Sequence, residues 1–283
     1  MSIAGGGWAV TSASRIGSVH VRDHRPNQDA ARTWSAGEGA VIAVADGHGY
    51  HLHFRSDVGA ELAAECALDG LRTALPSFTD AHTARAALPG VVAGIVDSWY
   101  AAVAAHVANS PYAANDAVDT GTAYGSRQPY GSTLLALAVT DSVLVSFQIG
   151  DGDTVAVRSN GEAFRPLAED DAHDGVHTAS LCQPEPLAAM RYVVIDLTND
   201  DVELAFLCTD GFGSSRVDTS GWWRETGTQL VGFVRDHGLV WVTDQLPSWL
   251  EEPALVGGDD TTLALLTRTS PTTVRSPTTV PAR

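Results

Sequence analysis

The chain has 283 residues, 44% hydrophobic and 18% charged, a globular composition long enough to bury a large core. Its formal net charge of −17 argues against a nucleic-acid-binding surface, because phosphate-backbone recognition rests on Lys/Arg clusters and the sequence has none. Cys66, Cys182 and Cys208 lie far apart, and the sequence shows neither a secretory leader nor an apolar run approaching a membrane span of about 18 residues, so the expectation is a reduced, cytoplasmic protein with no membrane segment.

In chain order, Trp8 to Val21 alternates apolar and polar residues as an entry strand, and the polar stretch Val21 to Ala30, with Pro26, reads as a loop or strand edge. Val41-Ile42-Ala43-Val44-Ala45 is a buried strand that stops at Asp46-Gly47-His48-Gly49. A helix follows from about Arg55 to Ala74, with Val58, Leu62, Cys66 and Leu71 on one face. A second spans Ala84 to Ala108, with Leu88, Val92, Ile95, Trp99 and Val103 on its apolar side and Pro89-Gly90 breaking or delaying its start. Residues 109–130 have no clear period and read as a long loop.

From Gly131 the period becomes that of strands. Ser132 to Val139, Val143 to Ile149 and Thr154 to Arg158 read as a meander, and Asn160-Gly161 is a tight turn into Ala163-Phe164-Arg165. Residues 168–187 form an acidic loop in which His173 and His177 lack the helical setting of a metal pair. Tyr192 to Leu197 and Val202 to Cys208 read as a strand pair, Arg224 to His237 and Val242 to Glu252 as helices, and Thr261 to Thr267 as a last strand. Strands and helices come in blocks, which favours an α+β fold with antiparallel sheets over a parallel, doubly wound one. Nothing inside has linker composition, so residues 1–268 are expected to form one domain and 269–283 a disordered Ser/Thr/Pro-rich tail.

One local pattern repeats. Apolar segments border acidic corners at Asp46-Gly47, Gly150-Asp151-Gly152-Asp153, Asp210-Gly211 and Gly258-Asp259-Asp260. A carboxylate at a strand tip sits on a rigid platform, and glycine lets the backbone approach a ligand closely. Oxygen ligands of this kind suit Mg²⁺ or Mn²⁺, and two such ions can activate water and clamp a phosphate. The ten histidines lack zinc-ligand spacing.

The ordered set Asn27-Gln28-Asp29-Ala30, Val44-Ala45-Asp46-Gly47-His48-Gly49, Gly131-Ser132-Thr133, Ile149-Gly150-Asp151, Cys208-Thr209-Asp210-Gly211 and Gly258-Asp259-Asp260-Thr261-Thr262 resembles the metal-dependent PP2C (PPM) serine/threonine phosphatases over residues 15 to 267. The resemblance implies an αββα sandwich of two antiparallel sheets flanked by helix pairs. It implies that Asp46 bridges two Mn²⁺ or Mg²⁺ ions, with the Gly47 carbonyl, Asp210 and Asp259 as further ligands. Asp29 would hold metal-bound water, and His48 would serve as general acid for the leaving alkoxide, a role an ordinary imidazole can fill near neutral pH; a solvent-exposed turn histidine is the other reading. The implied partner is a phosphorylated protein, made by a serine/threonine kinase and hydrolysed by direct attack of activated water. No nucleic-acid or membrane partner is expected, and the chain is expected to act as a monomer.

Three positions depart from the family pattern. Gln28 replaces a glutamate of the outer metal shell. His24 stands where an arginine grips substrate phosphate, leaving Arg25 or Arg22 as substitutes. Ser214 replaces an aspartate of a third, looser metal site, of which Asp151 keeps the other half. His51, His53 and Arg55 line the pocket or are solvated, and Asp260 orients its loop or joins the outer metal shell. The departures leave two alternatives: a weakly active or inactive relative that binds phosphorylated partners, or a phosphoesterase for small molecules.

Overall fold

The computed structural model describes residues 7–37, 39–116, 118–167, 178–216 and 221–269. The chain runs β1 (Trp8–Arg15), α1 (Ser18–Arg22), β2 (Asp29–Ala36), β3 (Gly39–Asp46), α2 (Ser56–Ala74), α3 (Ala81–Asn109), α4 (Ala123–Arg127), β4 (Leu134–Val139), β5 (Val143–Ile149), β6 (Asp153–Arg158), β7 (Ala163–Phe164), β8 (Arg191–Asp196), β9 (Val202–Cys208), α5 (Asp210–Ser214), α6 (Trp222–His237), α7 (Leu239–Trp249), α8 (Glu251–Val256) and β10 (Thr261–Arg268). The strands form two five-stranded sheets, ordered β1-β10-β9-β6-β7 and β2-β3-β4-β5-β8, antiparallel at every pairing.

Three apolar layers hold the sandwich together. Side chains alternate across a strand, so Val41, Ala43 and Ala45 of β3 join α2 and α3 in one core, while Ala40, Ile42 and Val44 face the other sheet. The second sheet buries Val155, Phe206 and Leu265 under α6 and α7. With both faces covered, β3 is apolar throughout, and this is why it reads as a continuous run. The architecture is the expected αββα sandwich.

Several local expectations are corrected. The entry strand ends at Arg15, and Ser18–Arg22 turns into a helix. The turn is fixed at Gly17, whose N–H donates to Asp260 and where a Cβ would lie 2.3 Å from the Asp259 carbonyl carbon. α2 buries Ala60, Ala63, Ala64, Ala67 and Leu71, leaving Val58, Leu62 and Cys66 half-buried at its flanks; the small side chains let it lie close on the sheet.

α3 starts at an Asp80 capping box with Thr83 and runs unbroken through Pro89. Pro89 faces solvent, where the carbonyl that loses its donor can turn to water, and the buried stripe Leu88, Val92, Ile95, Trp99 and Val103 holds the helix across it. By length and composition α3 could cross a bilayer, and 28% of its apolar window is buried; the buried stripe packs into the core with α2.

The meander and the second strand pair are also redrawn. β4 pairs with β5, but the chain then crosses to the other sheet, where β6 pairs with β9. β8 returns to β5, so β8 and β9 lie in different sheets. Within the 109–130 loop, Ala123–Arg127 is a short helix and Gln128–Tyr130 a 3₁₀ turn. The last helical stretch divides into α7 and α8. His173, His177 and residues 270–283 of the tail lie outside the described residues.

Candidate metal centre

The acidic corners meet at one end of the sandwich because both sheets end there. Asp46 closes β3 and stands opposite Asp29, the first residue of β2, in the antiparallel register. Asp210 opens α5 directly after β9, and Asp259 precedes β10, following Gly258 at φ +87°. Asp151 sits in the crossover between β5 and β6, after Gly150 at φ +99°, a conformation that favours glycine. Asp46, Asp151, Asp210 and Asp259 line one open cleft of about 690 Å³ with His48, Gly49, Tyr50, His53, Tyr124, Thr133, Thr178, Ser180 and Gln183.

Asp29 lies buried behind this wall, where its Oδ2 accepts from the Thr209 hydroxyl at 2.8 Å. The Thr209 hydroxyl in turn accepts from Thr262 N at 3.0 Å. Asp46 N donates to the Thr133 hydroxyl at 3.0 Å, and the Thr178 hydroxyl donates to Asp151 Oδ2 at 2.6 Å. Gly47 admits no side chain, since a Cβ would lie 2.5 Å from the Ser56 carbonyl oxygen.

The electrostatics call for a cation. Burial, and then the charges of Asp29 and Asp210, push the Asp46 carboxyl well above the usual range. Burial pushes Asp29 up against the pull of the Thr262 and Thr209 hydrogen bonds, lifts Asp210 to about 6, and raises Asp259. Asp29 Oδ1 and Asp210 Oδ1 are buried without a hydrogen-bond partner. Oxygen atoms that repel one another and lack donors fit hard divalent ions. Among the described residues no three His, Cys, Asp or Glu side chains form a metal cage by themselves.

His48 lines the cleft beside His53, ring centroids 5.0 Å apart; burial and His53 lower its imidazole to about 4, opposed by Asp151, so it is neutral at pH 7. His24 adopts a left-handed φ of 54° in the turn after α1. Beyond it, Arg25 Nη1 donates to the Gly49 carbonyl at 2.8 Å, while Arg22 is paired with Asp23 on the surface. Neither arginine is among the residues lining the cleft. Gln28 donates to Ser56 Oγ at 2.5 Å, and Ser214 is exposed on α5. Asp260 orients its loop: it is buried and accepts from Gly17 N, Gln28 N and His20 at 2.7, 2.6 and 2.8 Å. His53 donates to the Gln128 carbonyl, and Arg55 to Ser110, Pro111 and Tyr130.

Sequence reasoning missed the supporting shell. Thr209 and Thr133 stand inside the quoted motifs without an assigned role, and hydroxyls beside an acidic corner were the available signal. His20 has no signal, because its partner is 240 positions away.

Comparison with known proteins shows the family and the fold. The chain matches the family Protein phosphatase 2C over residues 16–251. No curated protein sequence matches it. Its fold resembles that of the catalytic domain of the serine/threonine protein phosphatase PstP in complex with two manganese ions, at 18% identity and TM-score 0.57, covering 93% of this chain and 99% of that one. It also resembles PppA, described as a key regulatory component of T6SS in Pseudomonas aeruginosa, at 18% identity and TM-score 0.55, with 93% and 99% covered. The S. agalactiae serine/threonine phosphatase is similar at 17% identity and TM-score 0.55, with 92% and 99% covered. With the sandwich, the acidic cleft and a family match over most of its length, the chain belongs to the protein phosphatase 2C family.

Proposed function

We propose that the chain is a metal-dependent phosphoprotein phosphatase that hydrolyses phosphoserine and phosphothreonine. The observation that carries this reading is the convergence of Asp46, Asp151, Asp210 and Asp259, from both sheets, on one open cleft backed by buried Asp29. Asp46, the Gly47 carbonyl, Asp210 and Asp259 would hold two Mn²⁺ or Mg²⁺ ions, and Asp151, without an acidic partner at Ser214, would contribute to a looser third. Bound there, the ions supply an activated water for direct attack on phosphorus and neutralise the developing charge.

The chain's own residues do the rest. Asp29 orients the Asp46 side of the site through the β2–β3 ladder, with Thr209 fixing its carboxylate. Neutral His48 offers a ring N–H to the leaving oxygen, a hydrogen-bonding role in place of a standing positive charge. Arg25, at the rim beside Gly49, is the arginine nearer to hand for an incoming phosphate than Arg22, which Asp23 occupies.

The test is turnover of a phosphothreonine peptide with and without Mn²⁺, beside Asp46→Asn. Manganese-dependent release of phosphate that the variant loses supports the reading. Tight binding of the phosphopeptide without turnover would favour the alternative, a regulator that holds phosphorylated partners; the departures at His24, Gln28 and Ser214 are the observation behind it. A cytoplasmic, monomeric protein acting on the products of a serine/threonine kinase remains the proposed setting, in keeping with three free cysteines.

A further inference from the structure

The wall of the cleft carries four aspartates, two histidines and two tyrosines, and no arginine. All 17 basic residues of the chain are arginines, and those closest in sequence to the wall already have hydrogen-bond or stacking partners. Arg25 donates to Gly49 and Arg22 to Asp23. Arg55 donates to Ser110, Pro111 and Tyr130 and stacks 4.5 Å from the Tyr112 ring centroid, and Arg127 lies 3.9 Å over Tyr100. Among the described residues the wall itself therefore carries no arginine, and the nearest guanidinium, Arg25, is tied to Gly49 at its rim, on a chain of net charge −17.

It does offer aromatic faces. Tyr50 is 59% and Tyr124 39% exposed at the cleft, and among the described residues neither hydroxyl has a hydrogen-bond partner. Tyr124 also has no stacking partner among them. Its backbone is nonetheless held in place. The Thr122 hydroxyl caps α4 by accepting from Gly125 N at 3.0 Å, Asp119 accepts from Gly121 N and the Thr122 hydroxyl, and the Tyr112 hydroxyl donates to the Ser126 carbonyl at 2.6 Å. Gly125 packs so tightly on the Asp119 carbonyl that a Cβ would lie 2.0 Å from its oxygen. A ring on an anchored backbone with an open face, beside acidic walls, is built to meet a cation.

We propose that this mouth selects phosphopeptides with an arginine or lysine next to the phosphorylated residue, and that Tyr50 and Tyr124 are the side chains that read it. The proposal rests on the phosphatase reading above and names its substrate class. The phosphate goes to the acidic, ion-holding floor; the flanking cation lies on a tyrosine face and is drawn in by the negative field of the chain.

The experiment uses one peptide sequence with Arg, Ala or Glu on both sides of the phosphothreonine. Dissociation constants are measured by polarisation with non-hydrolysable phosphonate versions, and kcat/KM with the phosphopeptides and Mn²⁺. The Arg-flanked peptide is expected to bind about 10-fold more tightly than the Glu-flanked one, less so at high salt. Tyr50→Ala with Tyr124→Ala should erase most of that ratio, whereas Tyr50→Phe with Tyr124→Phe should keep it, with melting temperatures confirming that both double variants fold. Equal binding of Arg and Glu peptides, or a preference that survives the double alanine variant, overturns the proposal. Failure of the native protein to hydrolyse any peptide or p-nitrophenyl phosphate would instead overturn the phosphatase reading, while the binding arm still decides the preference of the mouth.

Discussion

The Thr209 hydroxyl donates to Asp29 Oδ2 at 2.8 Å, tying the end of one sheet to the start of the other across 180 positions of sequence. Its oxygen also accepts from Thr262 N, so one hydroxyl fixes three strand ends around the acidic cleft. Thr209→Val keeps the shape and removes both bonds, leaving a buried N–H and a buried carboxylate short of a partner. The expected cost is about 1–3 kcal/mol in chemical denaturation, with weaker Mn²⁺ binding by calorimetry, and Thr209→Ser should recover most of both. Unchanged Mn²⁺ affinity in the valine variant would show that Asp29 does not depend on this bond.

The metal-free protein should become less stable as pH rises. Asp210 is lifted to about 6, and Asp29, Asp46 and Asp259 are raised by burial, above an unfolded value of about 3.9. Across that window the folded state binds more protons than the unfolded one. Stability is then fully present below about pH 4 and is lost as pH climbs through about 6. Thermal melts in chelator from pH 4 to 8 should show the fall after allowance for other groups, and Mn²⁺ at pH 7 should restore the loss, because the ions take the place of the protons. A melting temperature indifferent to Mn²⁺ at pH 7 would argue against ion binding at these carboxylates.

Asp260 is predicted to act through geometry. Its carboxylate satisfies Gly17 N, Gln28 N and His20, all close to the residues that carry the site. Asp260→Ala strands three buried donors and should destabilise the fold by about 3 kcal/mol or more. Asp260→Asn keeps acceptor capacity at one oxygen and should cost less. Denaturant titration of the pair checks the order; equal losses would mean that the carboxylate's second oxygen is indispensable.

Gly47→Ala tests the close approach of backbones under the cleft. The added methyl would stand 2.5 Å from the Ser56 carbonyl oxygen and 2.8 Å from that of Gln28. Neither backbone atom can swing aside, so about 1–3 kcal/mol of stability should be lost, together with displacement of the Gly47 carbonyl and a drop in Mn²⁺ affinity. A variant that melts and binds Mn²⁺ like the native chain would remove Gly47 from the list of ion-holding positions.

The sequence by itself determined the elements whose information is local. The apolar run ending in Asp46-Gly47 declares a strand buried on both faces with a carboxylate at its tip, and the order of acidic corners carries the family pattern. The stripe of α3 from Leu88 to Val103 is legible because helical period and burial coincide. Pro89 misled because propensity weighs one residue while packing acts along the whole helix. Only the tertiary structure decided what depends on distant partners. Val202–Cys208 shows nothing in its own residues to reveal that it pairs with β10 and β6 and not with the strand just before it. The Asp260–His20 contact, the Thr209–Asp29 bond and the engagement of Arg25 with Gly49 arise where loops from separate strands meet. Hydrogen bonds and charge pairs act over a few ångströms of space, whatever the separation along the chain, and so the cleft's carboxylates could be named from sequence while their supports could not.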